Sequence, residues 1–114
     1  MVWTVEAHAE FEPEYDALDP KVLRELRAMI DVLRDAGPHL ARPYAGNLKG
    51  SRYANMKELR FRADGGVWRV AYAFDPSRRA ILLVAGNKAG VSQRRFYKTL
   101  IDAADARMDR HLSK

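Results

Sequence analysis

The chain has 114 residues, 47% of them apolar and 10% aromatic, and no cysteine; this suits one domain with a real core and excludes disulfides and thiolate metal sites. The formal net charge is +5, spread unevenly: residues 1–41 carry 4 Lys/Arg against 9 Asp/Glu, residues 42–98 carry 13 against 3, and residues 99–114 carry 3 of each. A middle segment with so large a cationic excess points to a polyanionic partner, nucleic acid or an acidic protein, with a merely solvated surface as the plainer alternative.

The opening MVWTVEAHAEFEPEYD is acidic and has no long apolar run. Neither a signal peptide nor a membrane span is expected, and a cytoplasmic location fits. Val2 to Ala7 alternates, with Trp3, Val5 and Ala7 on one side, as in a first strand. Phe11, Tyr15 and Leu18 follow at helical spacing, with Pro13 in the first turn. Asp19-Pro20 reads as an N-cap with proline at the first helical position. Val22, Leu23, Leu26, Met29, Ile30 and Leu33 then form one apolar stripe, stopped by Gly37-Pro38.

Residues 37–55 have no period and read as a long loop, a feature often tied to function. Strands are expected at 56–62, 67–74 and 79–86, with turns at Ala63-Asp64-Gly65-Gly66 and Asp75-Pro76-Ser77-Arg78. The tail from Ser92 to Leu112 is helical, with Phe96, Leu100, Ala103, Ala104 and Met108 as a modest stripe. The order β-α-α-β-β-β-α, over residues 1–114 as a single domain, indicates α+β: a small antiparallel sheet, two N-terminal helices on one face and a C-terminal helix.

Folding the first hairpin pairs Arg62 with Val67, Phe61 with Trp68, Arg60 with Arg69 and Leu59 with Val70. Leu59, Phe61, Trp68, Val70, Tyr72 and Phe74 then share a core face. Met56, Glu58, Arg60, Arg62, Arg69, Ala71 and Ala73 share the other. Like charges directly opposite on a sheet repel, so Arg60 against Arg69 needs a reason. One reading is a bound phosphate, which guanidinium groups grip bidentately, above a floor left open by Ala71 and Ala73. The other is that Glu58 and a further acid neutralise the pair.

His8, His39 and His111 are scattered and read as surface or loop residues. No metal-ligating constellation and no phosphate-binding glycine motif is present, so no metal and no cofactor is expected. What remains is basic and aromatic: Lys49, Arg52, Tyr53, Lys57, Arg60, Arg62, Arg69, Lys88, Arg94, Arg95 and Tyr97. Cations for phosphates and rings for stacking suit single-stranded RNA. RNA cleavage by 2′-hydroxyl attack needs only proton transfer and cations around the phosphorus. Arginine can supply the charge but not the proton transfer, whereas lysine and tyrosine can exchange protons. Lys57 points to the side opposite Arg60 unless a bulge re-aims it.

The segment LKGSRYANMKELRFRADGGVWRVAYAFDPSRRAILLVAGNKAG resembles the HigB-like, phage-related branch of the RelE/ParE toxin superfamily. The carriers are Leu-Lys-Gly (48–50), Lys-Glu-Leu-Arg (57–60), Trp-Arg-Val (68–70), Ala-Phe-Asp-Pro (73–76), Lys88 and the helix ending in Gly-Pro (37–38). The resemblance implies a RelE/ParE-like fold. It implies a type II toxin that cleaves mRNA on the ribosome and is held by a cognate antitoxin, often of helix-turn-helix type. By position, Arg60, Arg69 and Lys88 would hold the scissile phosphate. Lys57 would lie near a catalytic basic position, and Glu58, where some relatives carry a second lysine, becomes a candidate base. Tyr97 would match a C-terminal tyrosine. Lys49, Arg52, Tyr53, Arg62, Arg94 and Arg95 would bind the RNA strand. Two alternatives stay open: a ParE-like poison of DNA gyrase, which would damage DNA and leave mRNA intact, and an inactive module that only binds nucleic acid or an antitoxin.

Overall fold

A computed structural model describes residues 2–114. The elements are β1 (Val5–Ala7), α1 (Glu12–Asp16), α2 (Pro20–Ala36), a 3-10 turn (Gly37–His39), β2 (Ala45–Asn47), β3 (Lys57–Ala63), β4 (Gly66–Phe74), β5 (Ala80–Asn87) and α3 (Gln93–Leu112). The expected order is present, with the 3-10 turn and β2 added inside the stretch read as loop. Three residues of edge strand are too short to print a period. The sheet runs β1-β5-β4-β3-β2. Its neighbours are antiparallel except β1, which lies parallel to β5 through Val5, Glu6 and Ala7.

Helix α2 forms as its caps dictate. The Asp19 side chain accepts from the Lys21 amide at 2.8 Å, and Val22, Leu26, Met29, Ile30 and Leu33 are buried. Gly37 ends it at φ +58°, and a Cβ there would lie 2.3 Å from the Trp3 indole, so both backbone and space require glycine. The hairpin closes one pair tighter than the sequence suggests. Ala63 pairs with Gly66, and the turn is Asp64-Gly65 with φ of +49° and +75°, the two-residue geometry that matches strand twist. Tightening by one residue on each strand leaves the register intact, so Arg60 still faces Arg69.

Both faces of the sheet are covered. One carries Leu59, Val70, Tyr72 and Leu82 against α2 and Phe11. The other carries Met56, Ala71, Ala73, Ile81 and Leu83 against Phe96, Leu100, Ala104 and Met108 of α3. An open floor above Ala71 and Ala73 is therefore incorrect: α3 fills that space, and both alanines are fully buried. Small side chains there let the helix approach the sheet. Asp105, buried in the α3 stripe, accepts from Ser51 Oγ at 2.5 Å and from the Arg52 amide at 3.0 Å, tying the 48–55 loop to the helix. The histidine reading also needs correction. His8 is buried, and His111 Nε2 lies 2.8 Å from the carboxylate of buried Asp75.

Tyr72 is fully buried, and burial pushes its phenol up to about 12. Above pH 10 the unfolded chain releases this proton and the folded one retains it. Stability is thus full below the unfolded value and falls as pH rises toward the folded one. Between pH 10 and 12 this single group should remove roughly 2–3 kcal/mol. Urea unfolding of the wild type and Tyr72→Phe across that range checks it: the variant should show a clearly shallower alkaline decline.

Candidate functional site

The opposed arginines are resolved by an internal anion. Glu58 stands two residues before Arg60 on β3, on the same side of the strand, and is only 1% exposed. Its Oε2 accepts from Arg60 Nε at 3.0 Å and lies 3.0 Å from Arg60 Nη2. Its Oε1 lies 3.7 Å from Arg69 Nε, an ion-pair distance rather than a hydrogen bond.

Tyr97, one turn into α3, completes the cluster. Its hydroxyl accepts from Arg69 Nε at 3.3 Å and donates to Glu58 Oε2 at 3.2 Å. Burial raises the Tyr97 phenol above its ordinary value; Arg69 works against this and the Glu58 charge adds to it. The group therefore stays protonated at neutral pH and can donate a proton. The Lys88 ammonium sits 5.8 Å from the Tyr97 ring centroid.

Arg69 is not the open phosphate grip that the sequence suggests. Its side chain is 13% exposed, its Nη1 donates to the Trp68 carbonyl at 2.9 Å, and Tyr97 is hydrogen-bonded to it. Arg60 is 30% exposed at its side chain and reaches across Gly46 of β2, where a Cβ would come within 3.0 Å of Nη2. The Arg60 amide donates to the Tyr44 carbonyl at 2.9 Å, which fixes β2 alongside.

Beside this cluster is a cleft of about 630 Å³ lined by Glu58, Arg60 and Tyr97 with Arg42, Lys49 and Arg94. Of the predicted residues, Glu58, Arg60, Tyr97, Lys49 and Arg94 thus converge, with Lys88 against Tyr97. Lys57 does not, because the alternation of β3 turns it to the other side, where its Nζ donates to the Pro38 carbonyl at 3.1 Å. Arg52 and Tyr53 do not either. Both bond to Asp109 on α3, and Arg52 also pairs with Asp105 at 3.8 Å. Arg95 lines an apolar groove between α3 and β5, and Arg62 is exposed near the hairpin turn. Arg42 and Gly46 were missed. Arg42-Pro43 within a basic stretch was the available signal for the first, and nothing in the sequence marks the second.

The comparisons agree with this architecture. The family described as phage-derived protein Gp49-like matches residues 13–109. This chain is a member of the Gp49-like family. Among its relatives is the candidate toxin HigB2 of Mycobacterium tuberculosis, 42% identical over 100 residues that make up 87% of this chain and 49% of HigB2. The chain thus spans about half the length of that relative. The candidate toxin HigB3 of the same organism is 38% identical over 104 residues, 91% of this chain and 89% of HigB3. A solved structure of a mutant E. coli toxin RelE in the free state superposes with a TM-score of 0.63 at 11% identity, over 90% of this chain and 96% of that one. At that identity the likeness is one of fold: this Gp49-like protein has the RelE architecture.

If Glu58 holds the cluster together, Glu58→Gln should destabilise the Gp49-like domain by about 3 kcal/mol, because Arg60 and Arg69 lose their shared charge. It should also lower the pH at which Tyr97 titrates. Urea unfolding and difference ultraviolet absorbance against Tyr97→Phe read the two effects; an unmoved Tyr97 titration would show that Glu58 does not act on the phenol.

Proposed function

We propose that this protein is the toxin of a type II toxin–antitoxin pair and acts by cleaving mRNA. Its relatives are candidate toxins, and toxin relatives imply a cognate antitoxin. The observation that carries the finer reading is Arg60. It is a partly exposed guanidinium, held in one orientation by a buried carboxylate, beside a protonated tyrosine hydroxyl in a cleft rimmed by further cations.

In this reading the RNA strand lies in the cleft with the scissile phosphate on Arg60. Lys49, Arg94 and the α3 N-terminus favour the neighbouring negative charge. Positive charge at the non-bridging oxygens stabilises the extra charge that builds on phosphorus when the 2′-oxygen attacks. The new P–O2′ bond closes a cyclic phosphate as the P–O5′ bond breaks. Tyr97 delivers its proton to the departing 5′-oxygen, and the 2′-hydroxyl proton leaves to solvent. Glu58 acts through others: it orients Arg60 and Tyr97 and keeps the phenol protonated. Arg69 supports Tyr97 from beneath. Translating ribosomes would present the mRNA, and an antitoxin, of helix-turn-helix type on the strength of the resemblance, would hold the toxin silent.

The test is primer extension on mRNA after induction, together with growth. Wild type should stop growth and generate discrete cleavage ends. Arg60→Ala should lower cleavage by about 100-fold or more, compared at a temperature where the variant is fully folded, because stripping Glu58 of this partner also lowers the unfolding midpoint. Tyr97→Phe should lower it by at least about 10-fold. Intact mRNA accompanied by DNA breaks would favour a gyrase poison, and a fully active, folded Arg60→Ala would end the assignment of this cleft.

A further inference from the structure

The cleft at Arg60 does not end at the sheet. A second cleft of about 270 Å³ lies on the outer side of β2, lined by Arg42, Lys49 and Lys57 among small and apolar neighbours. Arg42, Asn47 and Lys49 line both clefts, so the two are contiguous around the edge of the sheet. What separates them is β2 itself, three residues long, with Gly46 in the middle. A Cβ at Gly46 would lie 3.0 Å from Arg60 Nη2, so the glycine lets the Arg60 guanidinium lie over β2 between the two clefts.

The charge of the second cleft differs in kind. The first contains Glu58, whereas no carboxylate lines the second. Its three cations come from three separate pieces of chain: before β2, after β2, and on β3. Among the described residues none of the three is in an ion pair, although Arg52, Arg79, Arg107 and Arg110 all pair with acids elsewhere. Lys57 is held at the cleft by its bond to the Pro38 carbonyl at 3.1 Å, and an ammonium has two further protons to offer. Three unpaired cations held together repel one another and gain most from a ligand carrying several negative charges.

We propose that the second cleft binds the backbone phosphates of nucleotides flanking the cleavage point, with single-stranded RNA crossing the sheet edge over Gly46. This rests on the reading that the first cleft takes RNA. Lys57 and Arg60 are separated by roughly 10 Å along β3, at ~3.3 Å per residue, so the clefts serve neighbouring phosphates rather than the same one. Lys57 is then a binding residue for the longer strand, with no part in the proton transfers.

Two variants of the full chain test this. Lys57→Gln removes one cation, and Ala41→Glu places a carboxylate at an exposed position that lines only the second cleft. Binding is measured by fluorescence anisotropy with a labelled dinucleotide, which fills only the first cleft, and with a longer single-stranded RNA carrying a 2′-O-methyl block. Each variant should bind the longer RNA about 3–10-fold more weakly, and Lys57→Gln should reduce the salt slope by about 0.7. Dinucleotide binding should be unchanged, and Lys57→Arg should restore the longer RNA.

Unchanged binding of the longer RNA would overturn the inference, as would an equal loss at both lengths. So would intact RNA binding with a weakened antitoxin complex, which would assign the cleft to an acidic protein segment. If the wild type binds neither RNA, the reading of the first cleft fails as well; wild-type binding with insensitive variants removes the second cleft alone.

Discussion

The arrangement rests on one buried carboxylate. Two guanidinium groups opposite each other on adjacent strands would repel, and Glu58 between them turns repulsion into a net attractive triad. A carboxylate this deep is costly to desolvate, and it is tolerated only where charged partners and hydrogen bonds surround it. That requirement fixes geometry. Arg60, Arg69 and the Tyr97 hydroxyl each have one place to be, so helix and sheet are registered against each other by polar contacts as well as by the apolar core below.

Helix α3 is held at several points. Phe96, Leu100, Ala104 and Met108 pack on the sheet, Tyr97 joins the Glu58 cluster, and Asp105 and Asp109 hold the 48–55 loop. At the far end His111 meets Asp75, which also accepts from Arg79. Burial pushes the Asp75 carboxyl up, but the bonds from His111 and Arg79 outweigh it and hold the group below its ordinary value. The loop carries Lys49 and the helix carries Tyr97 and Arg94, so clamping one to the other sets the width of the cleft between them.

The distribution of acids gives the surface its polarity. Glu10 and Glu14 near α1 pair with Arg107 and Arg110, and Asp105 and Asp109 take Arg52. The acidic first third of the chain thus neutralises the C-terminal helix. Among the described residues, Arg42, Lys49 and Lys57 are left without an acidic partner around the sheet edge. Segregation of charge along the sequence becomes segregation in space because β2 and β3 lie at one edge and α1 lies near the other.

The strand order along the chain, the α2 stripe with its caps, and the pairing of Arg60 with Arg69 were all legible in the sequence. Each depends on local periodicity or on a turn only a few residues away. The charge excess of residues 42–98 was legible from composition, and Glu58, Arg60 and Tyr97 from residue chemistry and the family resemblance. What α3 covers was not, because a modest stripe does not say which face of a sheet it will meet. That single long-range choice buried Ala71 and Ala73, half-buried Arg69, brought Tyr97 to Glu58, and drew Arg52 and Tyr53 away from the cleft. Composition supplied the charged and aromatic groups; only packing decided which of them share a space, since contacts between residues 40 or 50 positions apart leave no period for a sequence to print.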